Sequence, residues 1–370
     1  MKRIIINGAN GYVASNFINE LLRQGYEVIA LVRGSHKYSA DDRMKVALAE
    51  INDGAYKKTE KLKIFNYSLL HENFSIPEKQ LAEIFSQDTD YFHFAASLKF
   101  DFKSKEEIFN TNINGIENSL KVFSKYATGR SRFFFISTAY SCGHIPGLFR
   151  ETFYENEEIS GFRNYYEQSK RFAENVVRKF IDSNQLNGYI IRLSQVVGHN
   201  KTGVTKTDYG IFDFARRVHS LASRYPNKTI RVRVDPDSTQ NLIPIDTVVS
   251  YLLRTLEVRD LPVIMNFTAR NSIKNAHIIN SLSSLLPVRL IADKALSRAE
   301  MNALERVISI GMSFTSSYTD VDILFDTKNL DLLVSPNGNE PNEQSVYKML
   351  EYFIQQLSEK KKNNIYTSAS

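Results

Sequence analysis

Cysteine and histidine are scarce in this sequence, and their scarcity excludes several kinds of site. The single cysteine, Cys142, rules out an internal disulfide and a cysteine-based metal cluster. A reducing, cytoplasmic setting is therefore expected. The 7 histidines show no clustered spacing with carboxylates or with the cysteine, so we predict no metal site.

Long apolar runs are also absent. No stretch approaches the roughly 18 consecutive apolar residues of a spanning helix, so we predict no membrane span. The N-terminal apolar run covers residues 4–6 and stops at Asn7, which is shorter than the about seven residues of a signal peptide's apolar region. The chain also has no internal repeat and no extended low-complexity segment.

The excess of positive charge is small. Lysine and arginine number 47 against 41 acidic residues, which gives a net charge of +6 and a pI near 9.1. Spread over 370 residues, this excess only weakly indicates anionic partners, and we predict no nucleic-acid binding. In contrast, 24 phenylalanines, 19 tyrosines and a hydrophobic content of 42% can fill a sizeable core, and the length predicts two lobes.

Short strand-like runs alternate with longer amphipathic runs in the first half of the chain. Because buried strands separated by helices are typical of a parallel sheet covered on both faces, we predict an α/β fold with a Rossmann-type doubly wound parallel sheet. The predicted strands are 2–7, 27–32, 63–67, 91–94, 132–136 and 188–192, and the predicted helices are 11–24, 40–52, 78–85, 106–126 and 165–182.

The alternation of strand-like and amphipathic runs becomes irregular after Gly198, and this change predicts the domain boundaries. We expect residues 1–198, with about 240–268, to form the dinucleotide-binding Rossmann domain. Residues 199–239 and 269–340 are expected to form a smaller, partly helical substrate-binding lobe, and 341–370 a C-terminal helix with a polar tail.

Two glycines follow the first predicted strand and open the first predicted helix. Gly8 and Gly11 are three residues apart, and glycine allows both a sharp turn and close approach of backbone N–H groups to a pyrophosphate. Ala14 stands where the third glycine of the G-x-x-G-x-x-G spacing would fall. The segment therefore predicts a dinucleotide site.

The end of the second predicted strand carries an arginine. A carboxylate there would hold the ribose 2′-hydroxyl of NAD, whereas an arginine pairs with the 2′-phosphate of NADP. Arg33 occupies this place, and Arg43 lies ten residues further on in the following helix. These residues favour NADP over NAD.

A tyrosine and a lysine lie four residues apart on a predicted helix. Tyr166 and Lys170 therefore share one face, where an ammonium stabilises a phenolate and suits the tyrosine to proton transfer at a carbonyl oxygen. The lysine can also hold the nicotinamide ribose. Ser137 and Thr138, at the end of the fifth predicted strand, offer a third group for the reacting oxygen.

Taken in this order, the motifs resemble those of extended short-chain dehydrogenase/reductases. They are most similar to the branch of fatty acyl-CoA reductases (male-sterility type) and thioester reductase domains. The resemblance covers about residues 1–260, and the matching segments are 31–33 with Arg43, 93–96 with 112–115, 135–140, 164–170, 192–198 with 202–203, and 242–246.

This resemblance implies roles for individual residues. Tyr166 would be the acid/base, Lys170 its partner and Thr138 the third hydroxyl, with Ser137 as the fallback, while Asn112 would serve a proton relay or a backbone role. His93 is interpreted as a packed structural residue. Besides Arg33, Arg43, Tyr166 and Lys170, the residues implied at the cofactor are Gly8, Asn10, Gly11, Tyr12, Val13, Ala95, Leu193 and Ser194.

Three positions depart from the family pattern. Asn7 replaces a threonine, Ala14 the third glycine, and Ser194 a frequent proline. The first two touch cofactor positioning, and none removes a reacting group.

The leading hypothesis is NADPH-dependent delivery of hydride to a carbonyl carbon. In the resembled branch, that carbon belongs to an acyl thioester on CoA or on a carrier protein, or to the derived aldehyde, so the expected partner is a small-molecule or carrier-bound acyl substrate. One alternative is a nucleotide-sugar epimerase, dehydratase or reductase of the same superfamily, against which Arg33 argues. Another is a non-catalytic NADP-binding regulator, which would usually have lost Tyr166 or Lys170.

Overall fold

A seven-stranded parallel sheet organises the first half of the protein. The computed structural model describes residues 3–52, 54–57, 59–159, 161–183, 186–311, 318–335 and 340–368. The strands are β1 Arg3–Asn7, β2 Val28–Val32, β3 Leu62–Asn66, β4 Thr89–His93, β5 Arg132–Thr138, β6 Leu148–Phe149, β7 Gly188–Leu193, β8 Gln195–Val197, β9 Lys228–Val232, β10 Thr239–Gln240, β11 Leu242–Pro244, β12 Ile264–Phe267, β13 Ile273–Lys274, β14 Val288–Ala292 and β15 Leu324–Phe325.

Four of the five helices that the sequence predicts are present as single α-helices. One predicted helix, 106–126, is instead two α-helices joined by a π-helical segment, Asn110–Asn114. The helices are α1 Tyr12–Arg23, α2 Ala40–Ile51, α3 Glu78–Ile84, α4 Lys105–Phe109, α5 Gly115–Tyr126, α6 Tyr165–Asp182, α7 Ile211–Arg224, α8 Ile245–Glu257, α9 Asn275–Leu285, α10 Ala303–Gly311, α11 Lys328–Leu333 and α12 Glu343–Ser368.

The order of the strands creates a switch point at β1. The sheet runs β12-β7-β5-β4-β1-β2-β3 with every pairing parallel. The chain passes from β1 outward through β2 and β3, then returns to the other side of β1 for β4 and continues outward. In such sheets, ligands bind beyond the carboxyl ends of the strands at the point where the order reverses. The predicted doubly wound fold is confirmed.

The chain divides into two units. The first comprises residues 1–194, 248–267 and 325–335, and the second comprises 195–247, 268–324 and 336–370. The core of the first unit lies around the sheet, where β1, β2, β4, β5 and β7 are almost entirely buried. The second unit has its own core, built on α7, α9 and the parallel pair β9–β14.

The domain boundaries differ from those predicted. Residues 195–198 and 240–247 fall in the second unit because β8 pairs with β11 in a separate two-stranded sheet. The terminal helix α12 is not a separate element, since its apolar residues belong to the core of the second unit.

Residues 325–335 belong to the first unit, although the sequence places them in the substrate-binding lobe. The Glu151 carboxylate accepts hydrogen bonds from the backbone N–H groups of Asn266 on β12, at 2.7 Å, and of Asn329 on α11, at 2.5 Å. The Asn329 side chain also donates to the Ile264 carbonyl at 2.9 Å. These contacts join α11 to the edge strand β12.

Candidate functional site

The turn between β1 and α1 accepts only glycine at its first position. Gly8 has φ of +61°, and a Cβ atom there would lie 2.8 Å from the backbone nitrogen of Ala95. The turn closes with a hydrogen bond of 2.9 Å from the Gly11 N–H to the Gly8 carbonyl. Gly8 and Ala95 therefore meet backbone to backbone beyond the ends of β1 and β4, at the switch point.

The N-terminus of α1 suits an anion. No side chain of the described residues caps this helix, and its first turn contains no acidic residue. The helix dipole and the backbone N–H groups of the first turn favour negative charge. Asn10, Tyr12 and Val13 belong to this turn, so the predicted residues together form a cradle that fits a dinucleotide pyrophosphate.

Asn7 has a structural role that sequence reasoning missed. Its side-chain oxygen accepts hydrogen bonds from the backbone N–H groups of Phe94, at 2.9 Å, and Ala95, at 3.0 Å. Its amide nitrogen lies 2.9 Å from Nδ1 of His93, which is fully buried and whose pKa burial lowers. The Asn7 side chain thereby connects the end of β1 to the end of β4. Asparagine in place of threonine therefore supports the glycine turn rather than weakening it.

Tyr67 is a second residue that the motifs do not reveal. Its hydroxyl accepts a hydrogen bond of 3.2 Å from the Gly8 N–H, and burial raises its pKa to about 12. The hydroxyl therefore stays protonated and helps to hold the glycine turn. The only sequence signal is its position directly after β3.

The two predicted arginines meet beyond β2. The Arg43 guanidinium, on α2, donates to the backbone carbonyl of Arg33. The Arg33 side chain is exposed, and the backbone beyond it is held by a 2.9 Å bond from the Gly34 N–H to the Asn66 side chain. The structure thus places the Arg43 guanidinium against the backbone of Arg33, beyond the carboxyl end of β2.

Lys170 is buried against the end of β5. Its Nζ atom donates a hydrogen bond of 2.6 Å to the Ile136 carbonyl and lies 4.4 Å from the centre of the Phe135 ring. Only 2% of the residue is exposed. Because burial disfavours the ammonium, the pKa of Lys170 falls to about 7.

Tyr166 lies one turn before Lys170 on α6. The side chain of Asn164 caps this helix, accepting from the Glu167 N–H at 2.9 Å. The Tyr166 ring is half-buried and meets the edge of the Phe100 ring, with 5.4 Å between the ring centres. Capping and ring packing together fix the first turn of α6, which carries the tyrosine.

The two candidate hydroxyls at the end of β5 differ in their partners. The Thr138 hydroxyl donates to the Leu193 carbonyl at 3.3 Å and accepts from the Tyr140 N–H at 3.2 Å. The Ser137 hydroxyl instead donates to the carboxylate of Glu174 at 2.5 Å. Ser137 is held by a short bond to a buried carboxylate, whereas Thr138 donates over a longer distance to a neutral carbonyl, and this difference favours Thr138 as the third hydroxyl.

Asn112 lies in the π-helical segment and connects two parts of the site. Its amide nitrogen donates to the Ser169 hydroxyl at 2.8 Å and to the Ser97 carbonyl at 3.2 Å. Its oxygen accepts from the Ser97 N–H at 2.7 Å. These bonds tie the loop after β4 to α6, and they favour the backbone role of the two roles predicted.

Leu193 and Ser194 end the neighbouring strand, β7. Leu193 accepts the Thr138 hydrogen bond, and the Ser194 N–H donates to the Phe267 carbonyl at 3.1 Å. The Ser194 hydroxyl is buried and has no partner among the described residues. The predicted site residues thus lie at the carboxyl end of one sheet, within the first unit.

A profile of the male sterility protein family matches residues 6–252 of this chain. The chain belongs to the male sterility protein family. This membership confirms the predicted resemblance, and the family binds a nicotinamide nucleotide.

Three known proteins are similar to this chain in sequence or in structure. An uncharacterised oxidoreductase of Saccharomyces cerevisiae is 22% identical over 197 residues, and the match spans 49% of this chain and 52% of the yeast protein, about half of its length. The terminal R domain of the myxalamid PKS-NRPS biosynthetic pathway superposes with a TM-score of 0.75 at 17% identity, covering 96% of this chain and 91% of that one. The UDP-glucuronic acid 4-epimerase of Bacillus cereus, in complex with NAD, gives 0.66 at 14% identity, covering 96% and 97%.

The described residues of this male sterility family protein bring together no metal-binding cluster and form no membrane-spanning helix. In the part of the chain that the structure describes, no group of three or more His, Cys, Asp or Glu side chains is placed to hold a metal ion. Nor does any described helix combine the length and the apolar character required to cross a membrane.

Proposed function

We propose that this protein is an NADPH-dependent reductase that delivers hydride to a carbonyl carbon. The expected substrate is an acyl thioester, on CoA or a carrier protein, or the aldehyde derived from it. The observation that carries the proposal is the burial of the Lys170 amine at the carboxyl end of β5, one helical turn from Tyr166.

The bound cofactor would supply the hydride. The side chains would stabilise the negative charge that develops on the carbonyl oxygen. As hydride reaches the carbonyl carbon, negative charge grows on the oxygen, where the Tyr166 hydroxyl stabilises it together with the Thr138 hydroxyl, whose proton would turn to it from the Leu193 carbonyl. Tyr166 donates its proton to that oxygen, and the protonated form of Lys170, whose pKa is about 7, stabilises the resulting phenolate. With a thioester, the carbon–sulfur bond of the resulting hemithioacetal then breaks as its hydroxyl loses a proton and the departing sulfur gains one, while the Tyr166 phenolate regains a proton from solvent. The sum is that acyl thioester, NADPH and a proton give aldehyde, thiol and NADP⁺.

The glycine cradle and the two arginines support NADPH as the cofactor. Gly8, Gly11 and the uncapped α1 would hold the pyrophosphate, and Arg33 with Arg43 would hold the 2′-phosphate. Leu193 and the unpartnered hydroxyl of Ser194 would line the nicotinamide end.

The thioester substrate is supported by the family and by the shared fold of the myxalamid R domain. A carrier protein is the corresponding partner, and the net charge of +6 suits either an acidic carrier or the phosphates of CoA. The buried thiol of Cys142 is compatible with the cytoplasmic setting that we expect.

The direct test is NADPH consumption by the purified protein with panels of acyl-CoA esters, acyl-carrier thioesters, aldehydes and ketones. We expect oxidation of NADPH with at least one thioester or aldehyde, together with a trapped aldehyde or alcohol product. Absence of consumption across all four panels would contradict the proposal. Turnover of a UDP- or GDP-sugar without added cofactor would instead favour an epimerase, the activity named for the Bacillus cereus neighbour.

Arg33→Asp should reverse the cofactor preference. The variant removes the charge that would pair with the 2′-phosphate and provides a carboxylate for a ribose hydroxyl. We expect the ratio of kcat/KM for NADPH to that for NADH to fall about 100-fold. Arg130→Asp makes the same charge change at a side chain that is 86% exposed, and it should leave the ratio within about twofold. An unchanged ratio in Arg33→Asp would count against an NADP-phosphate site at this position.

A further inference from the structure

Glu174 occupies the same helix face as the proposed reacting pair. It lies four residues after Lys170 and eight after Tyr166 on α6, so the three side chains follow one another along one side of the helix. Yet Glu174 is fully buried and points into a cluster of polar groups, which the mechanism above does not use. Burial of an ionised carboxylate is expensive unless it is paired and hydrogen-bonded.

The Glu174 carboxylate joins three elements. The hydroxyls of Ser137 on β5, at 2.5 Å, and Ser141 beyond it, at 3.0 Å, both donate to its Oε1 atom. The guanidinium of Arg192 on β7 donates to Oε2 through Nη2 at 2.7 Å and contacts both oxygens through Nε at 3.1 Å. Arg171, also on α6, lies against the same carboxylate.

Arg192 extends this cluster to a fourth segment. It stands opposite Ser137 in the β5–β7 pairing. Its two terminal nitrogens donate to the carbonyls of Arg150, at 3.0 Å, and Thr152, at 2.9 Å. Because Arg192 is fully buried, its pKa is lowered to about 9, so the cluster contains desolvated charge.

Such a buried ionic cluster is weak evidence for stability. Well-packed apolar residues of similar volume are often as stable or more stable, because desolvation offsets the attraction between the charges. An ionic cluster does provide directional hydrogen bonds. The two serine donors and the bidentate arginine bond to the Glu174 carboxylate only when α6, β5 and β7 hold a defined arrangement.

We propose that Glu174 is a positioning residue, which fixes the rotation and height of the Tyr166–Lys170 helix relative to the end of β5 that carries Thr138. The inference rests on the proposed reduction. Ser137, which Glu174 holds, is the residue directly before Thr138, and the Lys170 amine is bonded to the Ile136 carbonyl directly before Ser137. The Lys170 amine and the Glu174 carboxylate, both on α6, therefore bond to successive residues of β5, Ile136 and Ser137.

Positioning matters here because proton and hydride must reach the two atoms of one carbonyl in one geometry. A misplacement of about 1 Å in such a site costs about 100-fold in rate. Without the Glu174 carboxylate, Arg192 would keep its two carbonyl acceptors but lose its charged partner, and the two serines would lose a charged acceptor, so α6 could shift while the rest of the sheet remained folded.

Glu174→Gln tests the proposal, and Asp90→Asn is its matched control. Asp90, on β4, is 1% exposed and binds Arg132 through Nε at 2.8 Å and Nη2 at 2.5 Å. Like Arg192, Arg132 also donates to two backbone carbonyls, those of Thr255 and Val258. The control pair lies at the opposite ends of the strands from the proposed site.

We expect Glu174→Gln to lower kcat about 30- to 100-fold with KM for NADPH changed less than threefold, and Asp90→Asn to leave kcat within about threefold. Both variants should lower Tm comparably. Hydrogen exchange should accelerate in the first two turns of α6 in Glu174→Gln and not in Asp90→Asn. Equal kcat values in two folded variants, or unchanged exchange in α6, would overturn the positioning role.

Ser137→Ala gives a milder second variant that keeps the ion pair. We expect a 3- to 10-fold loss of kcat, and no further loss when it is combined with Glu174→Gln, because both changes act on one contact. Additive losses would mean that Ser137 acts directly on the reacting oxygen, and they would overturn the inference. If the wild-type protein consumes no NADPH with any carbonyl substrate, the proposed function fails first and this inference with it.

Discussion

Replacing Tyr166 with phenylalanine is expected to lower kcat about 1,000-fold while the dissociation constant of NADPH changes less than about twofold. The ring contact with Phe100, at 5.4 Å between the ring centres, survives the change, so α6 keeps its packing. The change removes the hydroxyl group that would give its proton to the carbonyl oxygen. Steady-state rates with NADPH and the best carbonyl substrate, together with a fluorescence titration of NADPH, make the measurement.

The neighbouring tyrosine provides the control. Tyr165 is also half-buried at the start of α6, and its ring packs against Phe109, at 6.0 Å between the ring centres, and under the Lys105 amine, at 5.0 Å. Tyr165→Phe should keep kcat within about threefold. A Tyr166→Phe protein that retains more than about a tenth of wild-type kcat would assign the proton to another group.

Lys170→Met should lower kcat by at least about 100-fold and still give a protein that is as stable as the wild type or more stable at neutral pH. The pKa of this amine falls from 10.5 to about 7 because burial disfavours its charge. Between these values, the unfolded chain binds a proton that the folded chain has lost, so the wild-type free energy of unfolding rises with pH across this window. Methionine removes the dependence.

The advantage of Lys170→Met in unfolding free energy is therefore greatest at and below about pH 7 and smallest above about pH 10.5. Urea denaturation at about pH 6, 8 and 10 measures it. Lys179→Met, an exposed position on the same helix, should change neither the activity nor the pH dependence. A variant that is less stable than the wild type at every pH would show that the hydrogen bond to Ile136 outweighs the cost of burying the amine.

The motifs of the first unit were predictable because each depends on local spacing. Gly8 and Gly11 follow a short apolar strand, and Tyr166 and Lys170 are one helical turn apart, so a 3.6-residue period alone places them on one face. The strand rhythm likewise predicts a parallel doubly wound sheet, whose switch point then determines where the glycine turn lies.

The second unit was less predictable. Its parallel pair joins Lys228–Val232 to Val288–Ala292, two segments separated by about fifty residues that contain short strands and helices of their own. The local periodicity of the sequence does not predict a pairing between such distant segments. The same reason explains why the sequence places 325–335 in the substrate-binding lobe, whereas the structure groups this segment with the first unit: the distant carboxylate of Glu151 joins it to β12.

The sequence by itself determined the fold class, the dinucleotide turn and the spacing of the tyrosine and the lysine. The tertiary structure decided which hydrogen-bond partner each hydroxyl at the end of β5 has. The resemblance ranks Thr138 before Ser137, but only the structure shows that Ser137 meets the carboxylate of Glu174, which lies 37 residues away along the chain. The scarcity of cysteine and metal ligands leaves hydrogen bonds and buried charge to define this site, and their partners are set by the packing of whole elements rather than by neighbouring residues.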